Sequence, residues 1–131
     1  MRFITGLLLN ILIALPLHYF LPWLWWSAII PVFVLGFGLQ MNGFLSFLCG
    51  LLSVGLFWGG MAYWSNALNN GALLEKMSTI LPFGSAMGTL IGVTVLGAIL
   101  GALAMLSGKF LRDIITGPLI APSTKSRGKY K

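Results

Sequence analysis

Long apolar stretches alternate with short polar breaks along this chain. Four stretches, approximately at residues 3–20, 23–39, 44–64 and 83–111, contain almost no charged side chains. A helix needs about 20 apolar residues to cross the hydrocarbon core of a bilayer. Because a backbone in lipid must satisfy its own hydrogen bonds, such stretches form helices there. The pattern therefore predicts an all-α integral membrane protein with four transmembrane helices.

The second stretch is short and allows a different interpretation. Pro31 removes a backbone donor and is expected to kink the helix near its middle. Gly36, Gly38 and the Asn42-Gly43 pair are expected to end the helix in a tight turn. A re-entrant hairpin is the alternative to a full span. The first stretch resembles a signal peptide in having Arg2 before an apolar core, but the missing small-residue cleavage site favours a retained helix.

The segment between the third and fourth stretches differs from both. Residues 72–81 separate into an apolar and a polar face at helical spacing, which predicts a short helix lying in the membrane interface. Residues 1–117 are thus expected to form one four-helix transmembrane domain. Residues 118–131 are rich in Ser, Pro and basic side chains and have little apolar surface to bury. They are expected to form a flexible basic tail.

Composition agrees with a membrane location. Of the 131 residues, 58% are hydrophobic and 8% are charged, and the mean hydropathy is +0.96. A soluble domain needs a polar surface that these residues cannot cover. The formal net charge is +6, but no soluble basic face exists on which nucleic-acid phosphates could bind. We therefore expect membrane lipids as neighbours and no nucleic acid.

The basic residues predict an orientation. With four spans, the N-terminus, the turn at residues 40–43 and the tail share one side of the membrane. Seven of the eight basic residues lie on that side, and Lys76 lies on the other. Basic loops stay in the cytoplasm, so both termini are expected to be cytoplasmic. The seven residues are Arg2, Lys109, Arg112, Lys125, Arg127, Lys129 and Lys131.

Aromatic side chains collect at the opposite ends of the first three stretches. Trp and Tyr favour the headgroup level, where the ring is half buried and its polar atom stays hydrated. The group serves as an outer anchor or, alternatively, as a docking face for a lipid or partner. Its members are Tyr19, Trp23, Trp25, Trp26, Tyr63 and Trp64.

Small residues recur every four positions in the fourth stretch. Residues four apart share a helix face, and small side chains there allow another helix to approach closely. The predicted packing positions are Gly84, Gly88 and Gly92, then Gly97 and Gly101 on a shifted stripe, with Gly55 and Gly59 in the third stretch. Such stripes predict either packing within the chain or a seam for a homo-oligomer or a larger membrane complex.

Polar residues inside the stretches are few. Asn10 is an amide well inside a predicted span, so it should face protein and bond to a hydroxyl or carbonyl on the third or fourth segment. His18 is interpreted as an interfacial residue. One histidine and two carboxylates, Glu75 and Asp113, supply no usual hydrolytic or metal site. We therefore expect no enzymatic activity, cofactor or metal.

Apolar motifs between Phe20 and Asn70 carry a family resemblance. They are Phe-Leu-Pro-Trp at 20–23, Trp26, Phe-Leu-Ser-Phe-Leu-Cys-Gly at 44–50, Leu-Phe-Trp-Gly-Gly at 56–60 and Asn-Ala-Leu-Asn at 66–69. The region resembles a group of small four-span proteins of the bacterial inner membrane without an assigned activity. The resemblance implies that topology and location, and it adds no site.

Three functions fit these patterns. The leading hypothesis is a non-enzymatic scaffold or accessory subunit that packs through its glycine-rich helix faces. The second is a small oligomeric channel or transporter, and the third is a lipid-binding protein that uses the aromatic residues. The pore of the second would be lined by Asn10, Ser46, Ser53, Thr89 and Thr94.

Overall fold

Every regular element of the described residues is an α-helix. The computed structural model describes residues 1–21, 23, 26–82 and 84–117. Its helices are α1 (Arg2–Phe20), α2 (Ile29–Gly38), α3 (Gly43–Leu68), α4 (Ala72–Ile80) and α5 (Ala86–Thr116). By length and composition, α1, α3 and α5 can cross a membrane. The predicted all-α class is confirmed for the described residues, and three helices long and apolar enough to cross a membrane fit the predicted membrane protein. Trp25, Phe83 and the predicted tail lie outside the described residues.

The second apolar stretch forms a shorter helix than predicted. α2 contains 10 residues, or about 15 Å of helix, which is half of a roughly 30 Å hydrocarbon core. Pro31 is its third residue and lies in the first turn, where no intrahelical hydrogen bond requires a proline N–H. The predicted mid-helix kink is therefore wrong. Gly36 does not end the helix, which continues through Gly38.

Left-handed residues and side-chain caps make the two turns around α4. Asn70 and Gly71 have φ angles of 51° and 83° between α3 and α4, and Asn66 Oδ1 accepts a hydrogen bond from Leu74 N at 3.1 Å. Gly84 has a φ of 64° just before α5. The Ser85 hydroxyl then caps α5 by accepting a 3.0 Å hydrogen bond from Gly88 N.

The α3–α5 pair is the centre of the molecule. α2 packs on the C-terminal half of α5, α1 packs mainly on α3, and α4 contacts the first part of α5. Arg2 donates to Gln40 O at 2.8 Å, and Arg112 donates to Leu39 O at 3.0 Å. These contacts define an Arg112 end of the molecule. The α1 C-terminus with His18 and the start of α5 define the opposite His18 end.

α5 is longer than the predicted fourth segment. It continues past Leu111 to Thr116 and spans 31 residues, about 46 Å. Lys109 forms an ion pair with Asp113 one turn later, and Arg112 pairs with the same carboxylate at 2.8 Å. The Lys109–Asp113 pair has the i, i+4 spacing that stabilises exposed helices.

Candidate functional site

Glycines allow the backbones of α3 and α5 to come into direct contact. A Cβ on Gly50 would overlap the carbonyl oxygen of Gly101, and a Cβ on Gly101 would overlap that of Gly50. Each carbonyl therefore faces the other glycine's Cα, where weak Cα–H···O contacts form. No side chain fits between the two backbones at this point.

The same seam continues toward the His18 end. A Cβ on Gly55 would come within 2.9 Å of the Ala98 Cβ, and one on Gly59 within 2.6 Å of the Thr94 hydroxyl. Gly97 lies against Trp58, which a Cβ would approach to 3.0 Å. The predicted glycines at 55, 59, 97 and 101 thus contact residues of the same chain.

A second glycine crossing joins α2 to α5, and sequence reasoning missed it. A Cβ on Gly36 would overlap the Met105 carbonyl, and one on Gly108 would overlap the Phe33 carbonyl. Gly108 lies seven residues after Gly101, which places both on one helix face. The seven-residue spacing of Gly101 and Gly108 was the sequence signal for this crossing. It does not follow the four-residue spacing from which the packing positions were predicted.

Gly84, Gly88 and Gly92 have different surroundings. Gly84 precedes α5, has a positive φ and would place a Cβ in open space, so it is a turn residue. Gly88 and Gly92 are half-buried and form the floor of an apolar groove on the surface. We call this groove, lined by Gly88, Ile91, Gly92, Val95 and Leu96, the α5 groove.

Asn10 faces protein but its amide is not paired. The residue is fully buried on the face of α1 that also carries Gly6 and Ala14. Neither Oδ1 nor Nδ2 has a hydrogen-bond partner among the described residues. The predicted bond to the third or fourth segment is therefore not present. A buried amide left unpaired costs about 1–3 kcal/mol, so we expect Asn10 to be less favourable at this position than an apolar residue of similar size.

We expect Asn10→Leu to raise the thermal unfolding midpoint in detergent. The substitution removes two unpaired polar atoms at similar volume and should stabilise the protein by about 1–2 kcal/mol. Ser53→Ala is the matched control, because the buried Ser53 hydroxyl already donates to Gly50 O at 3.3 Å. Lower midpoints for both Asn10→Leu and Asn10→Val would contradict the expectation.

Two apolar grooves meet at the His18 end. The first lies between α1, α3, α4 and α5, and its lining includes His18, Phe57, Met61, Ser65, Leu73 and Val93. The second lies between α1 and α3, and its lining includes Leu15, His18, Tyr19, Gly60, Met61 and Trp64. His18 and Met61 belong to both, so we call the pair the forked groove.

The predicted aromatic anchors surround this end. Tyr19 and Trp64 line the second arm of the forked groove, and Tyr63 and Trp64 are each more than 60% exposed. Trp23 and Trp26 are exposed in the segment after α1, while Trp25 lies outside the described residues. The structure thus brings Tyr19 and Trp64 together at one groove.

Comparison with known proteins gives no relative. No protein-family model, curated protein or solved structure matches this chain.

Proposed function

We propose that this chain is a non-enzymatic, four-span accessory subunit that docks a transmembrane helix of another membrane protein in the α5 groove. The observation that carries the proposal is the contrast between two sets of glycines. Gly97, Gly101 and Gly108 meet atoms of the helices packed against α5, whereas Gly88 and Gly92 line a surface groove beside the exposed Ile91, Val95 and Leu96. A glycine floor allows a second helix to approach closely in lipid.

The walls of the groove suit such a helix. Ile91, Val95 and Leu96 are about half exposed, and they flank the two glycines on an apolar surface. Close van der Waals packing drives helix association in a bilayer, because lipid tails are as apolar as leucine. A ridge of the partner helix would rest on the glycines between these side chains.

The four-span topology rests on where the ends of α1 and α2 lie. Arg2 contacts Gln40, so the chain returns to the Arg112 end between Phe20 and Gln40. α2 supplies 10 residues of that return. With basic residues at the Arg112 end, we place this end and both termini in the cytoplasm of a bacterial inner membrane.

The polar side chains favour a subunit over a channel. The Thr89 and Thr94 hydroxyls donate to Ser85 O and Leu90 O on their own helix, and the Ser53 hydroxyl donates to Gly50 O. A pore needs such groups to face water along one continuous path. One histidine and two carboxylates in the chain likewise favour a non-enzymatic role.

Site-specific photocrosslinking tests the docking. A photoreactive residue at Ile91 in native membranes should give one discrete adduct, which Gly92→Leu should abolish by filling the groove floor. The same probe at Leu8, which is 60% exposed on α1, is the control. Equal adduct patterns at both positions would overturn the proposal. An adduct between two 14.2 kDa chains would instead assign the groove to self-association.

A further inference from the structure

Three basic side chains meet around a single carboxylate at the Arg112 end. We call Arg2, Lys109, Arg112 and Asp113 the basic cluster. We infer that the basic cluster binds the phosphate of an anionic phospholipid, such as phosphatidylglycerol, at the membrane surface. This inference does not depend on the docking proposed for the α5 groove, whose residues lie earlier on α5.

Hydrogen bonds to two successive peptide groups bring the two arginines together. Arg2 Nη1 donates to Gln40 O at 2.8 Å. Arg112 Nη1 donates to the carbonyl oxygen of the preceding residue, Leu39, at 3.0 Å. The chain just after α2 therefore holds a guanidinium from α1 and a guanidinium from α5 side by side.

Asp113 joins the third cation to this pair but does not balance the charge. Its Oδ1 accepts from Arg112 Nη2 at 2.8 Å, and its Oδ2 accepts from Lys109 Nζ. Three cations against one carboxylate leave two positive charges. The only other acidic side chain in the sequence is Glu75, which lies on α4 at the opposite end. The counter-anion of the basic cluster therefore comes from the surroundings.

Arg2 offers such an anion most of its hydrogen-bonding groups. Its side chain is exposed, and only Nη1 bonds to an acceptor among the described residues. A guanidinium carries five N–H donors in a planar fork that fits two phosphate oxygens. Lys109 and Arg112 are half-buried and contribute their charge from behind the fork.

Apolar side chains beside the basic cluster favour a phospholipid over a free phosphate. The Lys109 ammonium lies 5.2 Å from the ring centroid of Phe110, which is 54% exposed. Ile114 and Ile115 are exposed in the next turn of α5. At a membrane surface such side chains contact acyl chains, while the cations stay at the level of the phosphates. A phospholipid supplies both contacts, because its phosphate and its acyl chains belong to one molecule.

Native mass spectrometry of the full-length protein tests the site. The protein is exchanged into nanodiscs that contain equal amounts of phosphatidylglycerol and phosphatidylethanolamine with the same acyl chains. Apolar grooves accept both lipids equally, so the ratio of the two lipids that stay bound reports the charge of the headgroup. We expect phosphatidylglycerol to be enriched at least about fivefold, the effect of one basic residue on an anionic headgroup.

Variants of the basic cluster should move this lipid ratio in opposite directions. Arg2→Gln removes one cation and should lower the ratio about fivefold, whereas Arg2→Lys keeps the charge and should retain most of the enrichment. Asp113→Asn removes the competing carboxylate and should raise the ratio by a similar factor. A variant with a damaged fold would not bind more of the anionic lipid, so this rise separates binding from a structural effect.

Two basic residues that do not belong to the basic cluster serve as matched controls. Lys76→Gln and Lys129→Gln each remove one positive charge and should leave the lipid ratio unchanged. A loss in Lys129→Gln equal to that in Arg2→Gln would assign the enrichment to overall charge and overturn the inference. No enrichment in the unmodified protein, no loss in Arg2→Gln or no rise in Asp113→Asn would overturn it as well.

Discussion

Gly101→Ala is expected to destabilise the protein by about 3 kcal/mol. The added methyl overlaps the Gly50 carbonyl and comes within 2.5 Å of the Val54 side chain. A backbone carbonyl cannot rotate away as a flexible side chain does, so α3 and α5 must separate. Equilibrium unfolding in mixed micelles, followed by tryptophan fluorescence, measures the change.

Gly60→Ala is the matched control. Gly60 lies in the interior of α3, and a Cβ there meets no atom within 4 Å. Alanine is better than glycine in a helix by about 1 kcal/mol, so this variant should be unchanged or more stable. Equal losses for Gly60→Ala and Gly101→Ala would show that the close contact does not govern stability.

Substitution of Gly50, the glycine on the other side of this contact, gives a second test. Gly50→Ala should cost about as much as Gly101→Ala, because each added methyl overlaps the other residue's carbonyl. Once either methyl has separated the helices, the second enters space already opened. The double variant should therefore cost less than the sum of the two, a coupling that distant sites do not show.

Cysteine labelling from outside the cell should modify Lys76→Cys and leave Gln40→Cys unmodified. Lys76 lies on α4 at the His18 end, and Gln40 lies at the Arg112 end, where its backbone carbonyl accepts from Arg2. An impermeant maleimide should label the first in intact cells and the second only after permeabilisation. The native Cys49 is fully buried and should stay unlabelled in unmodified protein.

The labelling result bears on α2 directly. If Gln40 reacts from the same side as Lys76, the chain does not return across the membrane between α1 and α3, and the four-span topology is wrong. The exchanged pattern, with Gln40 reactive in intact cells, would keep four spans and reverse the orientation. A variant with Cys at Gly71 repeats the test at a turn whose Cβ meets open space.

The helical class followed from hydropathy, because uncharged runs of membrane length have one stable backbone form in lipid. The length of α2 did not follow. The apolar run from Trp23 to Leu39 gives no signal for the residue at which the helix begins. The start of α2 at Ile29 depends on the packing of the buried Ser27, Ala28 and Val32. Pro31 then suits a first turn as well as a kink.

The candidate sites were predictable to different extents. Four-residue spacing found the glycines at 97 and 101, since one helix face repeats at that interval. The spacing did not distinguish Gly97 and Gly101 from Gly88 and Gly92, because it does not show which residues pack against each face of the helix. The forked groove had no linear signal, since His18, Met61 and Leu73 come together only when three helices pack.

The crossing of α2 on α5 has a consequence for biosynthesis. Gly36 rests on Met105, and the carbonyl after α2 is bound by Arg112, residues that leave the ribosome about 70 positions later. Synthesis proceeds at roughly 5–20 residues per second, so α2 spends several seconds with neither neighbour. During that interval the 10-residue α2, too short to fill the bilayer, can contact α1 and then α3 but not yet α5. The synthesis of α5 therefore completes the placement of α2.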